Sequence, residues 1–293
     1  MLSSISIKRA IQSSASSVLD LLEKEPMITS TKGQTLKLYQ SLATKSKART
    51  KKKMSILEGH RLVIDSLTNP YTRNLYHDIL VTENALYHPQ LGERLCYQLE
   101  KLILENQNCR VHLASDNVLQ AACDTVTPQG VVGIVNVPRE YTPPPNPSES
   151  VGKRKKLYLL LDGISDPGNV GTVLRSSKAV GVEAVVMLPN CCDVWNPKAV
   201  RSAMGTTFQV PICTVKSWDE CLELMAQCGV AKKNIYAATM EGSEGSTSES
   251  FDSIAHYDID WIDGISGVGS AICLGKVSSS IINTLHMMRT KDL

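Results

Sequence analysis

Several features are missing from this chain of 293 residues, and each absence removes a class of protein. No apolar run approaches the roughly 18 residues that suggest a membrane-spanning helix. No C-x-x-C pair occurs among the nine cysteines, so the spacing of a structural zinc site is missing and no metal is expected. The cysteines are odd in number and scattered: Cys191 and Cys192 are adjacent, and Cys221 and Cys228 lie seven apart. That pattern suits reduced, mostly buried thiols better than a disulfide framework. Net charge is only +2, so any basic surface has to be local. A Walker loop is absent. Gly163, Gly168 and Gly171 do not make G-x-G-x-x-G, and Gly267-Val268-Gly269 lacks the third glycine, which leaves a nucleotide-dependent dehydrogenase poorly supported.

What is present is ordinary for a globular protein: 42% hydrophobic and 20% charged residues, in a chain long enough for two modest domains or one large one. The first nineteen residues hold Lys8, Arg9, many serines and no acid, and no long apolar core follows. Residues 1–30 are therefore expected to be either an organelle transit peptide (mitochondrion or chloroplast) or disordered chain of a cytoplasmic protein. From about residue 31, strand-like and helix-like segments alternate. Leu36, Leu38, Tyr39 and Leu42 recur at helical spacing, GERLCYQLEKLILEN is amphipathic, and GVVGIVNV is a short buried strand. This predicts a small α/β domain over 31–140. Within it, Lys45, Lys47, Arg49, Lys51, Lys52 and Lys53 place six positive charges in nine residues, either a solvated run or a phosphate-binding surface. A proline-rich and basic linker follows over 141–156.

A second α/β domain is expected over 157–293. LYLLLD, AVVML, QVPI and NIYAAT are near-continuous apolar strands separated by helices, the mark of a parallel sheet covered on both faces. The turn after LYLLLD carries Asn169, Gly171 and, one helical turn on, Arg175. Its glycines allow a substrate close to the backbone, with Asn169 as a cap. An arginine near a helix start opposes the helix dipole, so a phosphate or a carboxylate such as Asp162 or Asp166 is expected to hold it. Further on, a helix starts at Pro197 and stops at Gly205. Its Lys198 and Arg201 fall near one face, either as phosphate contacts or as solvated charges.

LDGISDPGNVGTVLRSSKAVGVEAVVML followed by NPKAVRSAMGTTFQVPI resembles the SpoU (TrmH-type) RNA 2′-O-ribose methyltransferases of the SPOUT superfamily. The N-x-G-x-x-x-R motif stands here as Asn169, Gly171 and Arg175, and K-A-x-R-x-x-x-G as Lys198, Ala199, Arg201 and Gly205. ILEGHRLVIDSL and DTVTPQGVVGIV resemble the family's ribosomal-protein-like substrate-binding domain. The resemblance implies methyl transfer from S-adenosyl-L-methionine to a ribose hydroxyl of ribosomal or transfer RNA. It also implies a parallel sheet ending in a trefoil knot, a homodimer, and no role for DNA or membrane. Asn169 and Arg175 would be catalytic, with Arg175 assisting the hydroxyl or holding the adjacent phosphate.

After Trp261 the sequence departs from the family. The G-N-E-G-x-G loop and the S-L-N-V-S-x-A helix are not recognisable, and the remaining stretch is too short for both at the usual spacing. Thr239 is carried over as a cofactor-adjacent position, and Gly264, Gly267 and Gly269 could substitute for the cofactor loop. The alternative is a catalytically inactive RNA-binding protein of the same ancestry.

Overall fold

The computed structural model describes residues 4–23, 26–105, 108–142, 156–238 and 269–275. The chain divides into two compact units. The first is Met1–Arg139 with Pro167–Arg175 and Asp193–Gln209; the second is Glu140–Asp166, Ser176–Cys192 and Val210–Leu293. No helix among the described residues is long and apolar enough to cross a membrane.

The first unit opens with α1 (Ser4–Leu22), α2 (Gln34–Thr44) and α3 (Ser46–Lys52). Then come β1 (Met54–Glu58), α4 (His60–Thr68), α5 (Pro70–Arg73), β2 (Tyr76–Val81) and α6 (Glu83–Leu86). α7 (Gly92–Glu105), β3 (Arg110–Leu113), α8 (Asp116–Ala122) and β4 (Val131–Asn136) follow. The strands form a mixed sheet in the order β1-β4-β2-β3, with β4 antiparallel to β1 and β2, and β3 parallel to β2. Successive strand side chains point to opposite faces, and here both faces are dry. Leu57, Ile79, Val81, Val131 and Val135 pack with residues of α1, α4 and α7. Ile56, Leu80, Val132 and Ile134 pack with residues of α2 and α8. Gly133 in β4 lies under the Tyr76 ring, where a Cβ would come within 2.4 Å of the ring edge.

Helix α1 occupies the segment expected to be a leader or disordered. Its Ala15, Val18 and Leu22 are buried beside Leu95, Leu99 and Leu102, and Ser17 donates to the Glu100 carboxylate at 3.1 Å. These residues are a wall of the core, so a chain lacking residues 1–22 is expected to unfold roughly 9–18 °C lower. That follows from buried side chains worth about 1.5–3 kcal/mol each and about 2 °C per kcal/mol in a domain of this size. Calorimetric melting of the two chains checks it; equal melting temperatures would show that α1 adds no stability.

In the second unit, β5 (Lys156–Asp162), β6 (Ala184–Met187), β7 (Ile212–Thr214), β8 (Ile235–Ala238) and β9 (Gly269–Gly275) form one parallel sheet in the order β7-β6-β5-β9-β8. α9 (Pro167–Val180) and α10 (Pro197–Ser202) lie wholly or partly in the first unit, and α11 (Trp218–Gln227) in the second. One face of the sheet, with Tyr158, Leu160, Val186, Cys213 and Cys273, is sealed by Cys221 and Met225 of α11. The four strands read from the sequence are present. The strand expected at QVPI starts only at Ile212, since Pro211 has no N–H for the ladder. The nine cysteines are all free thiols, six of them buried. Burial pushes Cys213 and Cys221 up to about 12, which keeps both unreactive at neutral pH.

The fifth strand, β9, is hard to read from GSAICLG, because its apolar run, Ala271–Leu274, is only four residues long and stands in a glycine- and serine-rich stretch. It nevertheless lies inside the sheet, between the central strand β5 and the edge strand β8. The elements that would make a trefoil knot lie outside the described residues.

Candidate active site

Helix α9 begins at Pro167, five residues earlier than expected. Proline fits the first helical position because its φ is preset and its missing N–H has no partner to lose. Asn169 is consequently inside the first turn and does not cap from a preceding loop. Val170, Gly171, Leu174 and Ser177 face inward, while Asn169, Thr172 and Arg175, at steps of three residues, share the exposed face. An amide, a hydroxyl and a fixed positive charge thus follow one another along the solvent side of one helix.

Gly171 turns out to serve packing, not access of a substrate to the backbone. A Cβ there would stand 2.4 Å from the Ala199 carbonyl oxygen and 2.6 Å from the Ser202 Cβ, so only glycine lets α9 lie this close to α10. Asn196 caps α10 by accepting from the Lys198 N–H at 2.9 Å, and the helix stops at Ser202, just before the left-handed turn at Met204 and Gly205 (φ 54° and 76°). The start agrees with the sequence reading; the end comes before the expected stop at Gly205.

The basic residues separate into two groups. Lys45, Lys47, Lys51, Lys52 and Lys53 are exposed on or beside α3, and Lys198 is exposed on α10. Arg49 is a correction: it is 3% exposed, donates from Nε to Asp193 at 2.7 Å, and donates from Nη1 to the carbonyls of Leu42 and Ala43. It is unavailable to a phosphate. Arg201 is partly buried and bonds the carboxylates of Glu58 at 3.1 Å and Asp124 at 3.4 Å. Thr125 donates to the same Glu58 carboxylate. A run of charges does not reveal which member a helix rotates inward, so the sequence could not separate Arg49 from its neighbours.

The second unit carries a different feature. In chain order its strands lie 3-2-1-5-4, so the direction of winding reverses between β5 and β9. Open α/β sheets bind ligands outside the carboxyl ends of the strands at such a switch. Here those ends are Asp162 and Gly275, which pair in register. Gly275 has φ 126°, and a Cβ would fall 1.9 Å from the Asp162 carbonyl oxygen, so no other residue fits. Asp162 accepts from the Trp218 indole N–H at 3.2 Å; burial raises its carboxyl pKa, and the indole partly offsets this. The half-buried Cys191 donates to the Leu161 carbonyl at 3.1 Å, and the Cys192 N–H donates to the Ile164 carbonyl at 2.9 Å, pinning the loop after β6. Sequence reasoning missed Gly275 and Trp218, since their meaning depends on the pairing of β9 with β5.

Gly269, expected in a cofactor loop, is instead the first residue of β9. It pairs with Lys156 at the opposite end of the sheet, and its Cβ would meet the Lys156 carbonyl at 2.7 Å. Thr239, Gly264 and Gly267 lie outside the described residues.

Comparison with known proteins bears on both parts of the chain. Residues 56–141 match the family described as RNA 2′-O ribose methyltransferase substrate binding, and residues 156–261 match the SpoU rRNA Methylase family. The 23S rRNA (guanosine(2553)-2′-O)-methyltransferase RlmP of Bacillus subtilis is 31% identical over 186 residues, which cover 63% of this chain and 63% of that protein. The mitochondrial rRNA methyltransferase 3 of Xenopus laevis is 30% identical over 179 residues, covering 61% of this chain and 39% of that one. The chain therefore spans less than two thirds of the length of either relative. The crystal structure of an AdoMet-bound rRNA methyltransferase from Sinorhizobium meliloti superposes with a TM-score of 0.60 at 20% identity, over 90% of this chain and 95% of that one, a likeness of fold. With a substrate-binding module and a methylase module in this order along one polypeptide, the chain belongs to the SpoU family.

Proposed function

We propose that this protein transfers the methyl group of S-adenosyl-L-methionine to a ribose 2′-hydroxyl of ribosomal RNA. The observation that carries the reading is the pairing of the two family modules, in order, with rRNA methyltransferases as relatives. Arg175 and Asn169 are the proposed catalytic residues. A ribose hydroxyl is a poor nucleophile at neutral pH. Neither Asn169 nor Arg175 is a base there, so their contribution is electrostatic: the guanidinium favours the developing oxyanion or fixes the adjacent phosphate, and the amide orients the ribose. Lys45, Lys47, Lys51, Lys52, Lys53 and Lys198 supply sequence-independent attraction to RNA phosphates.

The cofactor would supply an electrophilic methyl group on a sulfonium. The residues at the switch point suit such a ligand. Trp218 offers an apolar ring, and the Asp162 carboxylate complements a positive sulfonium. Thr239, Gly264 and Gly267 are proposed to complete the pocket; Gly269, inside a strand, is not. The relatives include bacterial and mitochondrial enzymes. With mitochondrial enzymes among those relatives, the chain is proposed to act in an organelle, and to act as a homodimer.

Calorimetric titration with S-adenosyl-L-methionine tests the reading. Dissociation in the micromolar range, about −8 kcal/mol, is expected. RNA binding without any cofactor heat would favour an RNA-binding protein without chemistry. The observation on that side is Gly269, expected from the sequence in a cofactor loop, which lies in the sheet.

A further inference from the structure

Two neighbouring residues of α10 reach in different directions. Arg201 is bonded to Glu58, at the end of β1, and to Asp124, after α8. Ser202 reaches the other way: its Oγ donates to the Gly168 carbonyl, in the first turn of α9, at 2.8 Å. Thr172 Oγ1 donates to the same carbonyl at 3.0 Å and stands 3.5 Å from Ser202 Oγ. All these residues belong to the first unit. The Gly168 carbonyl thus receives two side-chain hydroxyls from opposite sides, one from its own helix and one from α10. Directly beneath, the missing side chain of Gly171 lets the backbones of α9 and α10 touch.

We propose that Ser202 is a positioning residue for the exposed Asn169–Thr172–Arg175 face. A helix start frays unless something holds it, because its first turn has few backbone hydrogen bonds of its own. Here the hold is lateral. Ser202 locks the first turn of α9 to α10, and α10 is itself anchored by the Arg201–Glu58 pair. The buried face of α9, with Val170, Gly171, Leu174 and Ser177, sets its rotation, and the Ser202 contact holds the first turn, and with it the direction of Asn169, to that setting. A catalytic group displaced by about 1 Å can lose a hundredfold in rate, so a modest contact has leverage on turnover.

The inference rests on the proposed methyl transfer for its kinetic readout, and a second readout is independent of it. In Ser202→Ala, kcat for RNA methylation is expected to fall about fivefold, the rate equivalent of one hydrogen bond of about 1 kcal/mol. KM for RNA and for cofactor should stay within about twofold and the melting temperature within about 2 °C, while Ser202→Thr, which keeps the hydroxyl, recovers kcat. Amide hydrogen exchange over residues 168–175 should be faster in Ser202→Ala and normal in Ser202→Thr. An unchanged exchange rate overturns the inference whatever the activity. A loss of kcat accompanied by an equal loss of stability and of RNA affinity also overturns it, since that is a folding defect. Faster exchange in a protein whose wild type transfers no methyl group leaves the positioning role standing and removes the proposed function instead.

Discussion

Replacing Arg175 by alanine is expected to lower methyl transfer by about 10²- to 10⁴-fold, the range seen when a positioned catalytic group is removed. Affinity for RNA should change by less than about threefold. The physical reason is the separation of tasks along the chain. Arg175 lies on the exposed face of α9 in line with Asn169 and Thr172, whereas the exposed lysines proposed to attract phosphates are five on and beside α3 and one on α10. Loss of one cation among many weakens binding little, because the counterion-release contribution scales with the number of phosphates neutralised. With Arg175 as the proposed cation at the reacting hydroxyl, its loss would remove stabilisation that exists only in the transition state. Arg175 is exposed, so stability should stay within about 0.5 kcal/mol of wild type. Single-turnover methylation and a filter-binding isotherm on the same preparation separate the two quantities. If affinity and rate fall together by the same factor, Arg175 is a binding cation and the catalytic assignment is wrong.

Within the basic run, Arg49→Ala and the triple replacement of Lys51, Lys52 and Lys53 by alanine are expected to behave as opposites. Arg49 is buried, bonded to Asp193, and donates to two carbonyls in the last turn of α2, where helix carbonyls lack partners of their own. Its removal strands Asp193, 19% exposed, without its cation and leaves the α2 carbonyls without their donor, a loss of about 3–5 kcal/mol. In a domain of this size that is a fall in melting temperature on the order of 6–15 °C. Lysine at position 49 should restore only part, because one ammonium cannot span a carboxylate and two carbonyls as the planar guanidinium does. The lysine triple touches nothing buried and should leave melting unchanged. Its effect belongs in RNA binding: the slope of log affinity against log salt should flatten by about 2, at about 0.7 per contact to single-stranded RNA. Thermal melts that fail to separate the two variants would overturn the division of the run. An unflattened salt slope would mean α3 does not face RNA.

The division within this run illustrates how far the sequence carries. Six cations in nine residues announce a basic segment, but the segment is a helix, and helical rotation takes Arg49 inside while leaving the lysines in water. Gly171 is a similar case. Its identity is conspicuous in the sequence, and two readings, access for a ligand and close packing of helices, are chemically equivalent until Ala199 and Ser202 are found opposite it. Glu58 gives no signal at all in one dimension. It becomes part of the site's support through Arg201, 143 residues away.

By itself the sequence determined the alternation of strands and helices, the parallel character of the second sheet, the start of α10 at Pro197, and the family. These are local or additive properties: runs of apolar residues, cap residues and motif spacings each act within a few residues of themselves. Tertiary structure decided that GSAICLG is an interior strand beside the central β5, that Gly275 and Asp162 meet at the switch point, and that Arg49 and Arg201 are structural. It also decided that Ser202 holds the first turn of α9. Each of those depends on which distant backbone comes within hydrogen-bonding distance. That choice is made by the packing of the whole core, not by the residues that carry it.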